Sequence, residues 1–174
     1  MQDMRYPIGA FKRQPAADHE ERSQLIANMR ELPQQLHQTV DNLTDIQLDT
    51  PYREGGWKIR QVIHHLADSH LNGYVRFKLA LTEDLPEIKS YDQDAWADTM
   101  DNFFTPVSVS VDLLKNIHQR WTTLLNRLDD IDFNRKFKHP ESGIWTLHET
   151  LVLYEWHGRH HLAQIQAACK NYKW

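Results

Sequence analysis

A single cysteine stands in the whole chain, so no internal disulfide can form. Cys169 reads as a small residue on the last helix of a protein that lives in a reducing cytoplasm. No apolar run approaches the roughly 20 residues that cross a bilayer. The mean hydropathy of -0.68 agrees, so a membrane span is not expected. The opening stretch "MQDMRYPIGAFKRQPAADHEERS" has no apolar core of signal-peptide length, which argues against secretion. Concentrated basic charge is also missing. The net charge is -4 and the basic residues are scattered rather than striped. A protein that binds nucleic acid through phosphate contacts normally shows a basic face. No nucleic-acid partner is therefore expected. What the chain has in quantity is histidine, with 11 in 174 residues, and tryptophan, with 6. That length suits one domain, residues 1–174, able to bury a core without a disulfide or a structural metal.

Residues 1–17 read as an extended arm, because Pro7, Gly9 and Pro15 discourage regular structure. From Asp18 the apolar residues Leu25, Met29, Leu32, Leu36, Val40 and Leu43 recur every three or four positions, one helical stripe. Pro33 lies inside it and should kink or divide that helix. After a loop through "TDIQLDTPYREGG", a second helix runs from about Trp57 to Glu83. Ile59, Ile63, Leu66, His70, Phe77 and Leu81 share its main face; Trp57, His64, Leu71 and Val75 make a second, so packing from several sides is expected. Residues 84–107 lack periodicity, and so long a connection in a compact domain is usually functional or a crossover. A third helix starts near Ser108 or Ser110, with Val111, Leu114, His118, Trp121, Leu125 and Leu128 inward. "FNRKFKHPESGIWTL" alternates apolar and charged residues about a turn and predicts a short two-stranded ribbon. Thr146 and Glu149 form a capping box that opens a fourth helix reaching about Lys170. Four long helices with one long crossing connection predict a four-helix bundle.

On that last helix, Tyr154, His157, His161, Gln164 and Ala168 form one stripe. His157 and His161 are one turn apart, so their rings can reach a common point, whereas His160 is turned away. Imidazoles at i and i+4 are how helices present nitrogen ligands to zinc-like ions. A lone pair of this kind is weak evidence, and Gly158 stands where a metalloprotease helix would carry its glutamate. The second helix adds "HHLADSH", residues 64–70. A catalytic tetrahedral ion takes three protein ligands and keeps an open position. Spacing alone does not choose among His64, His65 and His70.

Five stretches break that tie. "YPIGAF" (6–11), "LDTPYREGGWKIRQVIHHLADSHLNGYVRFKLALTE" (48–83), "YDQDAW" (91–96), "HQRWTTLL" (118–125) and "YEWHGRHH" (154–161) span nearly the whole chain in order. They resemble the DinB superfamily of small metal-binding four-helix bundles. The likeness is greatest to its YfiT-type branch, whose members are called metal-dependent hydrolases and, in bacilli, bacillithiol transferases. The resemblance implies an all-α, DinB-like four-helix bundle with a long crossover connection and a short β-ribbon before the last helix. It also implies one divalent metal ion per chain, held by His65, His157 and His161, and a homodimer. Imidazole suits zinc, nickel, iron and copper alike; zinc is the ion expected here, with nickel the alternative.

A dication with an open position can acidify water for hydrolysis or bind a thiol as thiolate. Three neutral imidazoles serve either chemistry. The resemblance tilts the choice towards transfer of a low-molecular-weight, bacillithiol-like thiol to an electrophile, with hydrolysis of a small substrate next and a non-catalytic metal-binding module third. Asp68, one turn after His65, is a candidate to orient that ring or else a solvated carboxylate. Arg53, Trp57, Tyr91 and Trp96 could hold a ligand or merely cover the bundle end. His64, His70 and His160 are expected to pack around the site. His19, His37, His118, His139 and His148 are expected to be ordinary structural or surface residues, and Gln164 is given no role.

Overall fold

Helix α1 (His19–Val40) opens on the Asp18 carboxylate, which accepts a hydrogen bond from the Glu21 amide. The computed structural model describes residues 3–14 and 18–174. Pro15 and the ends of the arm at 1–2 and 15–17 lie outside those residues. Pro33 does not divide α1, which runs unbroken through 22 residues with Pro33 buried inside it. A proline ring removes one amide, the one that would bond to the carbonyl four residues back. That carbonyl belongs to Met29.

The remaining elements follow in order: α2 (Asp45–Leu48), α3 (Ile59–Thr82), α4 (Gln93–Ala97), α5 (Asp101–Phe104), α6 (Val107–Leu125), α7 (Asp130–Phe133), β1 (Lys136–His139), β2 (Gly143–Thr146) and α8 (Leu147–Tyr172). The first half of α3 is packed on all sides, Ile59 to Ala67 being buried without a break. Its second half is not: Leu71 and Val75, expected on a second apolar face, are exposed. The long connection holds two helical turns, α4 and α5, that its lack of periodicity did not announce. The capping box of α8 is present, with Thr146 and Glu149 each bonding the other's amide.

Contacts between helices fix the topology. α3 and α6 are parallel neighbours, since His64 meets Ser110, His70 meets His118 and Phe77 meets Trp121. α8 runs antiparallel to α3, with His65 against His157 and Arg76 against Tyr154. It runs parallel to α1, where Asn28 bonds Glu155 and Leu32 meets Gly158. A parallel α3–α6 pair needs a connection that travels back along the bundle. Residues 83–106 provide it, and α4 is tied beside the start of α3 by bonds from Trp57 to Asp94 and from Gln61 to the Ala97 carbonyl.

β1 and β2 pair antiparallel, Phe137 opposite Trp145. The ribbon is stitched to the crossover by backbone bonds between Lys138 and both Pro86 and Ile88. The arm crosses ribbon and α8: Phe11 packs on Trp145 and Trp156, and Arg13 pairs with Glu149. Apolar packing forms two clusters. One contains Leu36, Ile63, Leu66, Leu114 and Ile165. The other contains Met29, Phe77, Trp121, Leu147 and Leu151. Among the described residues, no helix is long and apolar enough to cross a membrane.

Candidate metal centre

Between the two apolar clusters lies a layer of imidazoles. α3 supplies His65 and His70, α6 supplies His118, and α8 supplies His157, His160 and His161. One ring nitrogen from each of His65, His157 and His161 lies within 4.8 Å of the others. His65 and His157 approach most closely, with 3.2 Å between their Nε2 atoms. Nitrogens bound at about 2.0–2.1 Å to a tetrahedral ion lie roughly 3.4 Å apart. The His65–His157 spacing matches that value, and the His161 nitrogen is near enough to close a three-nitrogen set around a divalent cation.

Protonation favours the same reading. Burial pulls the His65 imidazolium down to about 4. Burial, and then the neighbouring histidines, hold His157 and His161 well below the ordinary histidine value. All three rings are neutral at pH 7 and offer lone pairs. Two lone pairs facing each other at 3.2 Å repel unless a proton or a cation stands between them.

Which nitrogen is bare follows from the hydrogen bonds. Met29 carbonyl, freed by Pro33, can only accept, and His118 Nδ1 lies 2.5 Å from it. His118 therefore carries its proton on Nδ1 and accepts at Nε2. His70 Nδ1 donates to that nitrogen over 2.8 Å. His70 Nε2 then accepts from His157 Nδ1 at 3.3 Å. The result is a bare Nε2 on His157, aimed at His65. A partner on the far ring nitrogen is how proteins set the tautomer of a metal-binding histidine.

His161 is oriented independently. Its Nδ1 donates to Gln164 Oε1 at 2.8 Å. The amide cannot be reversed, because Gln164 Nε2 donates to the Arg5 carbonyl at 3.0 Å. The same nitrogen faces His160 Nε2 and the Tyr52 hydroxyl. Gln164 thus has a role that helical spacing did not reveal, although it lies three residues after His161. His118, expected to be ordinary, and His70, expected to pack, both belong to the chain that orients His157. Asp68 makes no hydrogen bond to His65; burial, and then the Asp101 charge, raise its carboxyl to about 6. His64 bonds Ser110 outside the cluster, while His19 and His37 are exposed.

Gly158 is explained by packing. A Cβ there would lie 2.3 Å from Leu32 Cδ2, so the close approach of α1 and α8 leaves no room for a side chain between the two histidines. Gly73 likewise admits the Tyr154 and Trp121 rings against α3.

Two cavities reach the cluster. One, about 390 Å³, is bounded by Arg53, Trp57, Trp156, His157 and His161. The other, about 730 Å³, is bounded by Ser69, Arg76, Tyr91, Tyr154 and His157. Gln93, on α4, borders both. Of the four expected ligand-holding residues, Arg53 and Trp57 line the first cavity and Tyr91 the second. Trp96 packs on Tyr91 with ring centres 4.4 Å apart.

Comparison with known proteins gives a consistent result. The family model described as "DinB superfamily" matches residues 28–165. The chain is 46% identical over 173 residues to "Putative metal-dependent hydrolase YfiT" of Bacillus subtilis (strain 168), covering 99% of this chain and 97% of that protein. A protein of the same designation from Oceanobacillus iheyensis is 46% identical over 170 residues, covering 98% of each chain. The solved structure of YfiT from Bacillus subtilis, described as a probable metal-dependent hydrolase with an unusual four-helix bundle topology, superposes with a TM-score of 0.96. It covers 99% of both chains at 46% identity.

Proposed function

This chain belongs to the DinB superfamily, and from that premise we propose that it is a metal-dependent enzyme whose single divalent ion is held by His65, His157 and His161. We take zinc as the ion, with nickel the alternative, since imidazole donors suit both. The proposed reaction is transfer of a low-molecular-weight thiol, bacillithiol-like, to a small electrophile: the sulfur bonds to carbon as the electrophile's leaving group departs with its electron pair, and the thiol proton passes to solvent. A bound dication would supply the positive charge that turns a thiol, or a water molecule, into a nucleophile at neutral pH. The protein's own groups do the rest. His70 and Gln164 orient two of the rings, and Trp57, with its ring centre 4.8 Å from that of His65, shields the third. The Trp156 ring, bordering the smaller cavity, keeps an apolar wall beside the reacting centre.

The observation that carries the transfer reading is that two separate cavities share His157, one for each of two substrates. Hydrolysis needs only one organic substrate and is the second reading, supported by the names of the relatives. We place the enzyme in the cytoplasm as a homodimer, to be checked by light scattering.

Elemental analysis of untagged protein followed by paired assays tests the reading. Metal-loaded protein should accelerate conjugation of a small thiol to an alkylating electrophile and leave ester and amide substrates untouched. Hydrolysis without thiol, and no conjugation above the metal-free rate, would replace transferase by hydrolase. One equivalent of metal with neither activity would leave a binding module.

A further inference from the structure

The larger cavity contains a cation that no carboxylate neutralises. Arg76 is half-buried on α3 and forms no ion pair with an acidic side chain among the described residues. Its one assigned partner is neutral: Nη1 donates to the Tyr154 hydroxyl at 3.0 Å. Tyr154 is itself almost fully buried, and its phenol carries no charge to offset the guanidinium. A guanidinium has five N–H donors in a planar fork that matches a carboxylate. Here a single phenol holds the fork in place and leaves the other donors facing a space of about 730 Å³.

The surroundings restrict what enters. Ser69 and Tyr91 add hydroxyl groups to the wall. The acids there are Asp92 and Glu141. Asp92 spends one carboxylate oxygen on the amides of Asp94 and Ala95 at the start of α4, and Glu141 is exposed in the ribbon turn. Two nearby negative charges favour a monoanion over a dianionic phosphate. The cavity also reaches His157, whose ring centre is 6.1 Å from that of Tyr154. A ligand held by Arg76 therefore needs only a short chain to place its reacting group at the histidines.

We propose that Arg76, steadied by Tyr154, is the specificity residue of a carboxylate subsite, and that the substrate occupying this cavity is a short-chain carboxylate-bearing small molecule. Within the transferase reading on which this rests, that molecule is the thiol. Arg76 recognises charge and sets orientation, while the smaller cavity beside Trp57 and Trp156 receives the electrophile.

The test uses the full-length protein loaded with cobalt(II) and two matched probes, 3-mercaptopropionate and 3-mercaptopropionamide. Calorimetry reads affinity, and the sulfur-to-cobalt absorption band reads thiolate binding. The wild type should bind the acid about tenfold or more tightly than the amide, the order expected of a charge-assisted hydrogen bond. Arg76→Gln should reduce that ratio to near one while leaving metal content, and the position of the band at saturating thiol, unchanged. Arg76→Lys keeps the charge without the fork and should fall between; it also serves if Arg76→Gln folds poorly. An acid preference that survives in Arg76→Gln would overturn the subsite, since the carboxylate would then be held elsewhere. Equal affinity for both probes in the wild type would overturn it too. Absence of the band would count against the thiol reading alone, because the calorimetric ratio still reports on Arg76.

Discussion

The two ring-orienting systems of α8 differ in what they are made of. His157 is oriented from the core side, through His70 and His118 to the Met29 carbonyl, every member of that chain lying in the buried centre. His161 is oriented from the surface side, through the Gln164 amide to the Arg5 carbonyl of the arm. Both end on a backbone carbonyl that can only accept, so both force the same tautomer. The core side is shut off from solvent, and an unsatisfied buried nitrogen there carries its full desolvation cost. At the arm the chain passes through buried Gln164 but ends on exposed Arg5, and His161 is itself only half-buried. The lesson is that two side chains proposed as equivalent ligands need not be equally robust.

The largest expected effect removes a ligand altogether. His161→Ala should abolish uptake of metal and leave helical content nearly intact, read by elemental analysis and circular dichroism; a full equivalent retained would dismiss the assignment. Next comes the core-side support. His118→Leu should weaken metal binding about tenfold, the low end of the range for losing a ligand's own partner, because His118 acts on His157 only through His70. His118→Gln, which can still donate to Met29 and accept from His70, should recover most of it. Competition with a chromophoric chelator measures both. Gln164→Leu should cost less than His118→Leu in the same assay, and the reverse order would invalidate the contrast drawn here.

Acid sharpens the contrast further. His65 and His118 each stand at about 4 in the fold, through burial, against 6.5 when unfolded. Depressed values mean the unfolded chain takes up protons first. The stabilising effect is therefore complete above about pH 6.5 and is lost as pH falls towards 4. Denaturation midpoints of metal-free protein should decline across that window, less steeply in His118→Gln. The smallest effect belongs to the arm. Arg13→Ala breaks a partly exposed ion pair with Glu149 and should cost at most about 1 kcal/mol in thermal unfolding.

The bundle was legible because its helices obey a simple period. The stripe from Met29 to Val40 and the Thr146–Glu149 box both appear in the structure where the residues place them. The ribbon was legible from its turn. The i, i+4 pair on α8 was legible as a metal motif, whereas preferring His65 to His64 and His70 rested on family resemblance; the structure brings His65 together with His157 and His161. The support behind the ligands was not legible at all. His118 lies 39 residues before His157 and meets it only through His70. Pro33 reads in sequence as a helix breaker, yet its missing amide leaves the carbonyl that His118 uses. Neither relation has a period or a spacing; both exist only once α1, α3, α6 and α8 are side by side.

The return strap at 83–106 also decides what can change cheaply in this protein. It contributes Tyr91 to one chamber and Gln93 to both, yet none of the three clustered imidazoles sits on it. Part of each chamber's wall is thus separable from the helices that carry the imidazoles and Arg76. Grafting a new strap onto the same four-column frame would reshape the entrance for the rest of a guest molecule, while the charge it is greeted by and the chemistry behind the door stayed the same.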